Sequence, residues 1–365
     1  MEKFFVMSLR KMLVALPCLL PSGAIHVVEN LIEVLKINDY QIDVVSKIDG
    51  SMRQTFEELG IKVTVMDVAD EQFLETVVKN YDEVLADTLH MYEMVYHLFH
   101  KNILVKWWIH EPPAFFKHMA PNMPQGLWEH MAENVELYSA GYIVKNYIYN
   151  TYGLESRVLN FGLTDLSDIV ENQYYDIVAS DKITFLLPSL AIQPIKGHDL
   201  LALAAGSLPE KYTNQIEFIL LGMVPEENQD YFQMVQHLAD NTNNIKIIDD
   251  FVEREHLLSL MKQVDCIVAP SREDATNACI VEGLMLSKLC ICSNMAGVSH
   301  YIDDCVHGFV FPIEKIEELC SRIMLVVDNF DRLGVIAQNG RKVYEEHYSM
   351  QVFEKTVKEY WQVNV

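Results

Sequence analysis

Short runs of aliphatic and β-branched residues alternate with stretches of helical periodicity along nearly the whole chain. In the first half the runs are MLVALP, QIDVVS, IKVTVMD, DEVLADT and ILVKWWIHE; in the second they are KITFLLPSL, IEFILLG, IKIIDD, CIVAPS, LCICSN and GFVFP. Apolar runs this short, separated by helical segments, predict parallel sheets covered by helices on both faces. The polar stretch TDLSDIVENQYYDIVASDK, residues 164–182, lacks a core pattern and divides the two series. It predicts a linker at 166–181 between domains at 1–165 and 182–347. The last third is helical: IEKIEELCSRIMLVVDNF, then a polar helix to about His347, then MQVFEKTVKEYWQ. The final helix, about 348–365, is expected to pack back on the first domain. Two doubly wound domains of similar size imply strand ends that face a cleft, and function is to be sought there.

The start of the chain has two readings. Arg10-Lys11 followed by MLVALPCLLPSGA resembles a signal peptide with a small-residue end. The competing reading is a buried strand, a loop with Pro21 and Gly23, and a helix. Ile25, Val28, Ile32 and Leu35 keep helical spacing through the supposed cleavage region, which favours strand and helix.

Composition narrows the partners. Of 365 residues 50% are hydrophobic, enough for sizeable cores, and the length fits about two domains. The chain has 28 basic and 52 acidic residues, a formal charge of −24, which would repel a phosphate backbone unless a basic patch were strongly localised and argues against nucleic acid as a partner. The seven cysteines are odd in number and sit mostly in apolar runs without paired C-x-x-C spacing. They read as reduced core residues of a cytoplasmic protein. Phe4, Phe5, Arg10 and Lys11 leave room for peripheral contact with a membrane surface at most.

The candidate chemistry concentrates after CIVAPS, in SREDATNACIVEGLMLSKLCICSN. Glu273 and Asp274 are adjacent, and Glu282 follows eight positions after Asp274. Thr276 or Asn277 is placed to cap the next helix, and the amides from Thr276 through Ala278 to Cys279 would then point at a phosphate. Carboxylates accept two hydrogen bonds each, which suits vicinal sugar hydroxyls. The same acids also fit an ordinary solvated loop with a helix-start charge.

The linked order decides between those readings. Pro270-Ser271, the Asp274/Glu282 pair, Gly297 and the closing Gly308 to Pro312 resemble the donor half of the retaining GT-B glycosyltransferases of family four, the glycosyl transferases group 1. KGHDLL, PSGAIHVVENLIEVLK with its glycine loop at Gly23, IDGSMRQTFEELGIKVTV, KWWIHEPP and VLNFGLTD are similar to further parts of that family. The resemblance spans nearly the whole chain. It implies two Rossmann-like α/β domains and transfer of a sugar from a nucleotide diphosphate sugar to a glycan, a lipid-linked glycan or another hydroxyl acceptor, with retention and without a cofactor or metal. By that resemblance Lys196, with Gln193 near it, meets the donor diphosphate, and Glu282 holds the ribose. Asp274, with Glu273 beside it, faces the transferred sugar, and His110 with Glu111 lies near the reacting carbon. Two positions depart from the family: Ala191 stands five residues before the lysine, where relatives carry arginine, and His300 stands where an acid is common.

These departures keep two alternatives open, a glycosyltransferase-like accessory subunit that binds a protein partner and a GT-B sugar-nucleotide epimerase. Other chemistry lacks its motif. The sequence holds no Asp-x-Asp, no Gly-x-x-x-x-Gly-Lys-Ser/Thr and no Gly-x-Gly-x-x-Gly. His90, His97 and His100 share a helical stretch, but no cysteine or dense acid cluster joins them to make a metal site. Trp107 and Trp108 read as core.

Overall fold

A computed structural model describes residues 9–21, 23–38, 40–76, 78–168 and 181–363. Residues 169–180, most of the predicted linker, lie outside the described residues, as do Phe4 and Phe5. The chain divides into two units, residues 1–162 with 351–365 and residues 163–350.

The first unit holds a parallel sheet of strands β1 (Arg10–Cys18), β2 (Tyr40–Ile48), β3 (Lys62–Val65), β4 (Glu83–Asp87), β5 (Leu104–Ile109), β6 (Val135–Ser139) and β7 (Arg157–Val158). Their spatial order is β3-β2-β1-β4-β5-β6-β7. The second unit holds β8 (Ile183–Ala191), β9 (Ile216–Met223), β10 (Ile245–Ile248), β11 (Cys266–Ala269), β12 (Leu289–Ser293) and β13 (Phe309–Phe311), in the order β10-β9-β8-β11-β12-β13. Both are doubly wound Rossmann orders. Residues Arg10–Cys18 form a strand and Gly23–Ile37 a helix, so the apolar start of the chain is part of the sheet.

The eleven apolar runs all form strands, while β6 and β7 have no counterpart among them. Their sequences explain why. β6 reads VELYS, and its Glu136 lies opposite Lys106 of β5 as a cross-strand charge pair, Nζ to Oε2 2.8 Å. β7 is a two-residue edge strand, too short to carry a period.

Alternation along the second sheet sends side chains to two cores. Phe185 and Leu187 of β8, Phe218 and Leu220 of β9 and Val268 of β11 join Leu201, Ala204, Val235, Leu319 and Ile323 from helices His198–Ser207, Gln229–Asp240 and Ile316–Asn329. On the other face helix Ala278–Met285 approaches through Gly283, whose position leaves room only for hydrogen over Ile267 and Cys290. The strands are therefore buried on both sides, as their unbroken apolar runs require. All seven cysteines are free thiols. Among the described residues no helix is long and apolar enough to cross a membrane.

The last helix, Met350–Trp361, is held to the first unit by a buried charge. Lys106 is 4% exposed, and its ammonium lies 5.0 Å from the ring centre of Trp361 and 5.5 Å from that of Tyr138, besides Glu136. Arg10 Nη1 donates to the Trp361 carbonyl at 2.9 Å. Desolvating a lysine is costly, and a carboxylate together with two aromatic faces offsets that cost. Trp361→Ala should destabilise the first unit by about 3–5 kcal/mol. Hydrogen exchange should show earlier loss of protection in β1, β5 and β6 with β8 to β12 unchanged; equal losses in both units would refute this local role.

Candidate functional site

In the second unit the chain leaves β8 for a helix on one face of the sheet and leaves the adjacent β11 for a helix on the other. The two loops between, 192–197 and 270–277, thus start side by side at a topological switch point, where open α/β sheets bind ligands. They are stitched together. The amide of Arg272 donates to the Ile195 carbonyl at 2.8 Å and Arg272 Nη1 to the Pro194 carbonyl at 2.6 Å. Gly197 makes the approach feasible: it has φ +75°, and a Cβ there would overlap the Pro270 carbonyl.

Asp274 sits at the centre. Its Oδ2 accepts from Lys196 Nζ at 2.7 Å and Asn277 Nδ2 at 3.2 Å; its Oδ1 accepts from the amides of Asn277 at 2.8 Å and Thr276 at 3.3 Å. Both oxygens are engaged inside the loop, so Asp274 here orients Lys196. The expectation that the Thr276 and Asn277 amides point outward needs correction, because Asp274 takes both. The amides of Ala278, which is exposed, and Cys279 are those that Asp274 leaves at the helix start. The cap is Asn277 rather than Thr276: at φ +75° its Oδ1 accepts from the Ile280 amide at 3.1 Å, and its Nδ2 reaches Ser271 Oγ at 3.1 Å. The strand-end turn Gly297–Tyr301, which contains His300, closes over this loop. Gly297 N donates to the Asp274 carbonyl at 2.9 Å and Val298 N to that of Thr276 at 2.8 Å.

Lys196 is raised above the usual lysine range by the adjacent Asp274 charge, against burial that lowers it. It stays charged. Gln193, half-buried, precedes the turn Pro194–Lys196 and its carbonyl accepts from the Lys196 amide at 3.0 Å. Glu273 is half-buried in the same loop. Glu282, one turn into the helix, is 7% exposed, and burial raises its pKa although Arg254 opposes this from 3.2 Å. Arg254 has no local spacing to Glu282 that a sequence could reveal. Ala191 closes β8, and the guanidinium brought into this loop is instead that of Arg272. It pairs with both oxygens of Asp199, at 2.9 and 2.7 Å, and with Glu314 at 2.6 Å.

The first unit gathers a second cluster at its own strand ends. His110 follows β5, and its Nε2 lies 2.9 Å from Oδ1 of Asp87, the last residue of β4. Burial lowers the imidazole pKa, but Asp87 and Glu111 outweigh it and leave His110 raised. Glu111, 8% exposed, accepts from the Leu89 amide at 2.8 Å and the His110 amide at 3.1 Å, and its other oxygen lies 3.1 Å from His90 Nδ1. That contact with Glu111 raises His90, with burial opposing. Pro112 and Pro113 then start helix Pro113–Met119. Asp87 escapes sequence reasoning, since DEVLADT reads as one buried strand with an acid at its end. Gly23 opens helix Gly23–Ile37 in free space after β1, away from any contact that would demand glycine.

Residues 176–343 match the family model of Glycosyl transferases group 1. The chain is similar to this family over that span, a little under half of its length. The loops around Lys196, Asp274 and Glu282 all lie inside it. The whole chain has the GT-B fold. It is similar to HepE of Anabaena, solved in complex with UDP and glucose, at 16% identity over 97% of this chain and 99% of that one, TM-score 0.78. A glycosyltransferase from Rickettsia africae matches at 18% identity over 97% and 100%, TM-score 0.75. WaaG, a glycosyltransferase involved in lipopolysaccharide biosynthesis, matches at 14% over 95% and 99%, TM-score 0.68. At these identities the likeness establishes the fold alone. No curated protein matches the sequence.

One group anchors the lysine loop of the second unit to β8. His198 is fully buried, with Nε2 3.1 Å from Ser189 Oγ, and burial lowers its pKa to about 4. Below the ordinary value of 6.5 the unfolded chain binds a proton that the folded chain refuses until about pH 4. Stability must therefore fall as pH drops through that window, by at most about 3 kcal/mol from this residue. His198→Gln should remove that part of the acid loss in denaturant titrations at pH 7, 5.5 and 4. An unchanged pH slope would contradict the assignment.

Proposed function

We propose that the chain is a glycosyltransferase that moves a hexosyl group from a nucleoside diphosphate sugar to a glycan, a lipid-linked glycan or another hydroxyl acceptor, with retention at the anomeric carbon. The observation that carries this reading is the Lys196–Asp274 pair at the switch point, with buried Glu282 one turn into the helix that follows. A lysine held charged by a carboxylate and a helix start is suited to a diphosphate. Lys196 and the amides of Ala278 and Cys279 meet the donor phosphates and stabilise the charge that grows as the leaving group departs. Glu282 accepts from the vicinal ribose hydroxyls. Asp274 holds Lys196 in place and Gln193, Glu273, Thr276 and Asn277 shape the surrounding loop. His110, backed by Glu111, meets the transferred sugar or the acceptor.

In the reaction the acceptor oxygen bonds to the anomeric carbon, the bond from that carbon to the diphosphate oxygen breaks, and the acceptor's proton passes to the departing diphosphate oxygen. The charge is met by lysine and amides without a metal, in keeping with the lack of any Asp-x-Asp in the sequence. HepE was also solved with UDP-glucose, which makes UDP-glucose the first donor to test. Ala191 at the end of β8 favours one second reading, a glycosyltransferase-like subunit that binds a partner and transfers nothing.

Calorimetry with UDP, UDP-glucose and other nucleoside diphosphates separates them. Lys196→Ala and Glu282→Gln should each weaken donor binding about ten-fold or more, the loss expected for one charged hydrogen bond. Glu273→Gln should have a smaller effect. Equal effects of the two Glu→Gln changes would mean that the wrong acid carries the ribose. A folded protein that binds none of the nucleotides would end the enzyme reading.

A further inference from the structure

The first unit contains a buried acid that the reading above leaves without a role. Asp87 is 1% exposed, and its carboxylate faces His110 across adjacent strands β4 and β5. An ionised group that deep is costly unless a partner is fixed beside it. The next residue carries strain. Thr88 has φ +71° and ψ 164°, a region that β-branched residues avoid at a cost of about 1–3 kcal/mol. Among the described residues its hydroxyl is buried without a hydrogen-bond partner.

Four hydrogen bonds impose that turn. The Thr88 amide donates to the Trp108 carbonyl at 2.8 Å, and Trp107 Nε1 donates to the Thr88 carbonyl at 2.7 Å. Glu111 takes the Leu89 and His110 amides, so one carboxylate ties the loop after β4 to the loop after β5. The His110 ring packs against Trp108 with centres 4.5 Å apart. These contacts hold the strained backbone and together fix where Asp87 and His110 meet.

We propose that Asp87 is a positioning residue for His110: it accepts a hydrogen bond from Nε2–H, fixes that tautomer, and presents Nδ1 as the nitrogen that meets the sugar or acceptor hydroxyl. The proposal rests on the reading of His110 as a contact near the reacting carbon. Nδ1 makes no hydrogen bond to the described residues, and in the neutral ring it is an acceptor, suited to a hydroxyl donor. The charged and titratable groups that bear on the pair are each other, Glu111, His90 through Glu111, and Lys47 through His90. Without the Asp87 charge, burial gains the upper hand and the imidazole loses its proton at lower pH.

Asp87→Asn keeps the shape and removes the charge, so it is the variant to compare with the full-length wild type. Nitrogen-15 imidazole NMR across pH should find neutral His110 protonated on Nε2 in the wild type. Its titration should move down by about one pH unit or more in Asp87→Asn. With a donor that binds, kcat should fall about ten-fold or more while the donor KM stays within about two-fold, and the limb of the kcat profile due to His110 should move to lower pH. An Nδ1–H tautomer in the wild type, or the same titration in both proteins, would overturn the proposal. So would a loss in Asp87→Asn confined to donor KM. The NMR result does not depend on turnover: expected spectra in a protein that transfers nothing would uphold the positioning of His110 and defeat the glycosyltransferase reading instead.

Discussion

The switch-point site of the second unit depends on one carboxylate that accepts from four donors. Asp274 holds Lys196 Nζ, the side chain of Asn277 and the amides of Thr276 and Asn277. Charge-assisted hydrogen bonds to its two oxygens tie the loop together. Two glycines complete the constraint, because Gly197 and Gly297 let the Pro270 and Ala275 carbonyls come closer than a methyl group permits. Remove the carboxylate and the lysine, the helix cap and both loop contacts lose their common acceptor.

The same physical device occurs in the first unit with different residues. In each sheet the strand across the switch point from the first carries an acid at its carboxyl end, Asp87 closing β4 and Asp274 following β11, and each acid is paired with a basic side chain from an adjacent strand's loop. Lys196 is a permanent cation suited to phosphate, whereas the His110 imidazole can give or take a proton and suits a hydroxyl. One architecture thus presents two electrostatic sites of different chemistry. Around both, charge is neutralised in place: Arg272 by Asp199 and Glu314, Arg254 by Glu282, Glu111 by amides and His90.

Much of this was legible in the sequence, for identifiable reasons. Buried parallel strands read as continuous apolar runs because both faces are covered, so β1 to β5 and β8 to β13 could be found; VELYS could not, since Glu136 on β6 faces a buried lysine. The Asp274/Glu282 spacing, Lys196 after its strand and His110 before two prolines were visible as local patterns. Asp87, Arg254 and Arg272's bond to Asp199 were not. Each is joined to its partner across tens of residues, 23 for Asp87 and His110, 28 for Arg254 and Glu282, and 73 for Arg272 and Asp199.

What the sequence by itself determined is the alternation of strand and helix, the fold class and the small set of polar residues at strand ends, because periodicity and turn chemistry act within a few residues. What only the tertiary structure decided is how those polar groups are used. Asp274 turns inward to fix a lysine, Asn277 rather than Thr276 caps the helix, and Asp87 takes up His110. Hydrogen-bond pairing depends on distances of about 3 Å, and strand order, which no local pattern encodes, sets those distances.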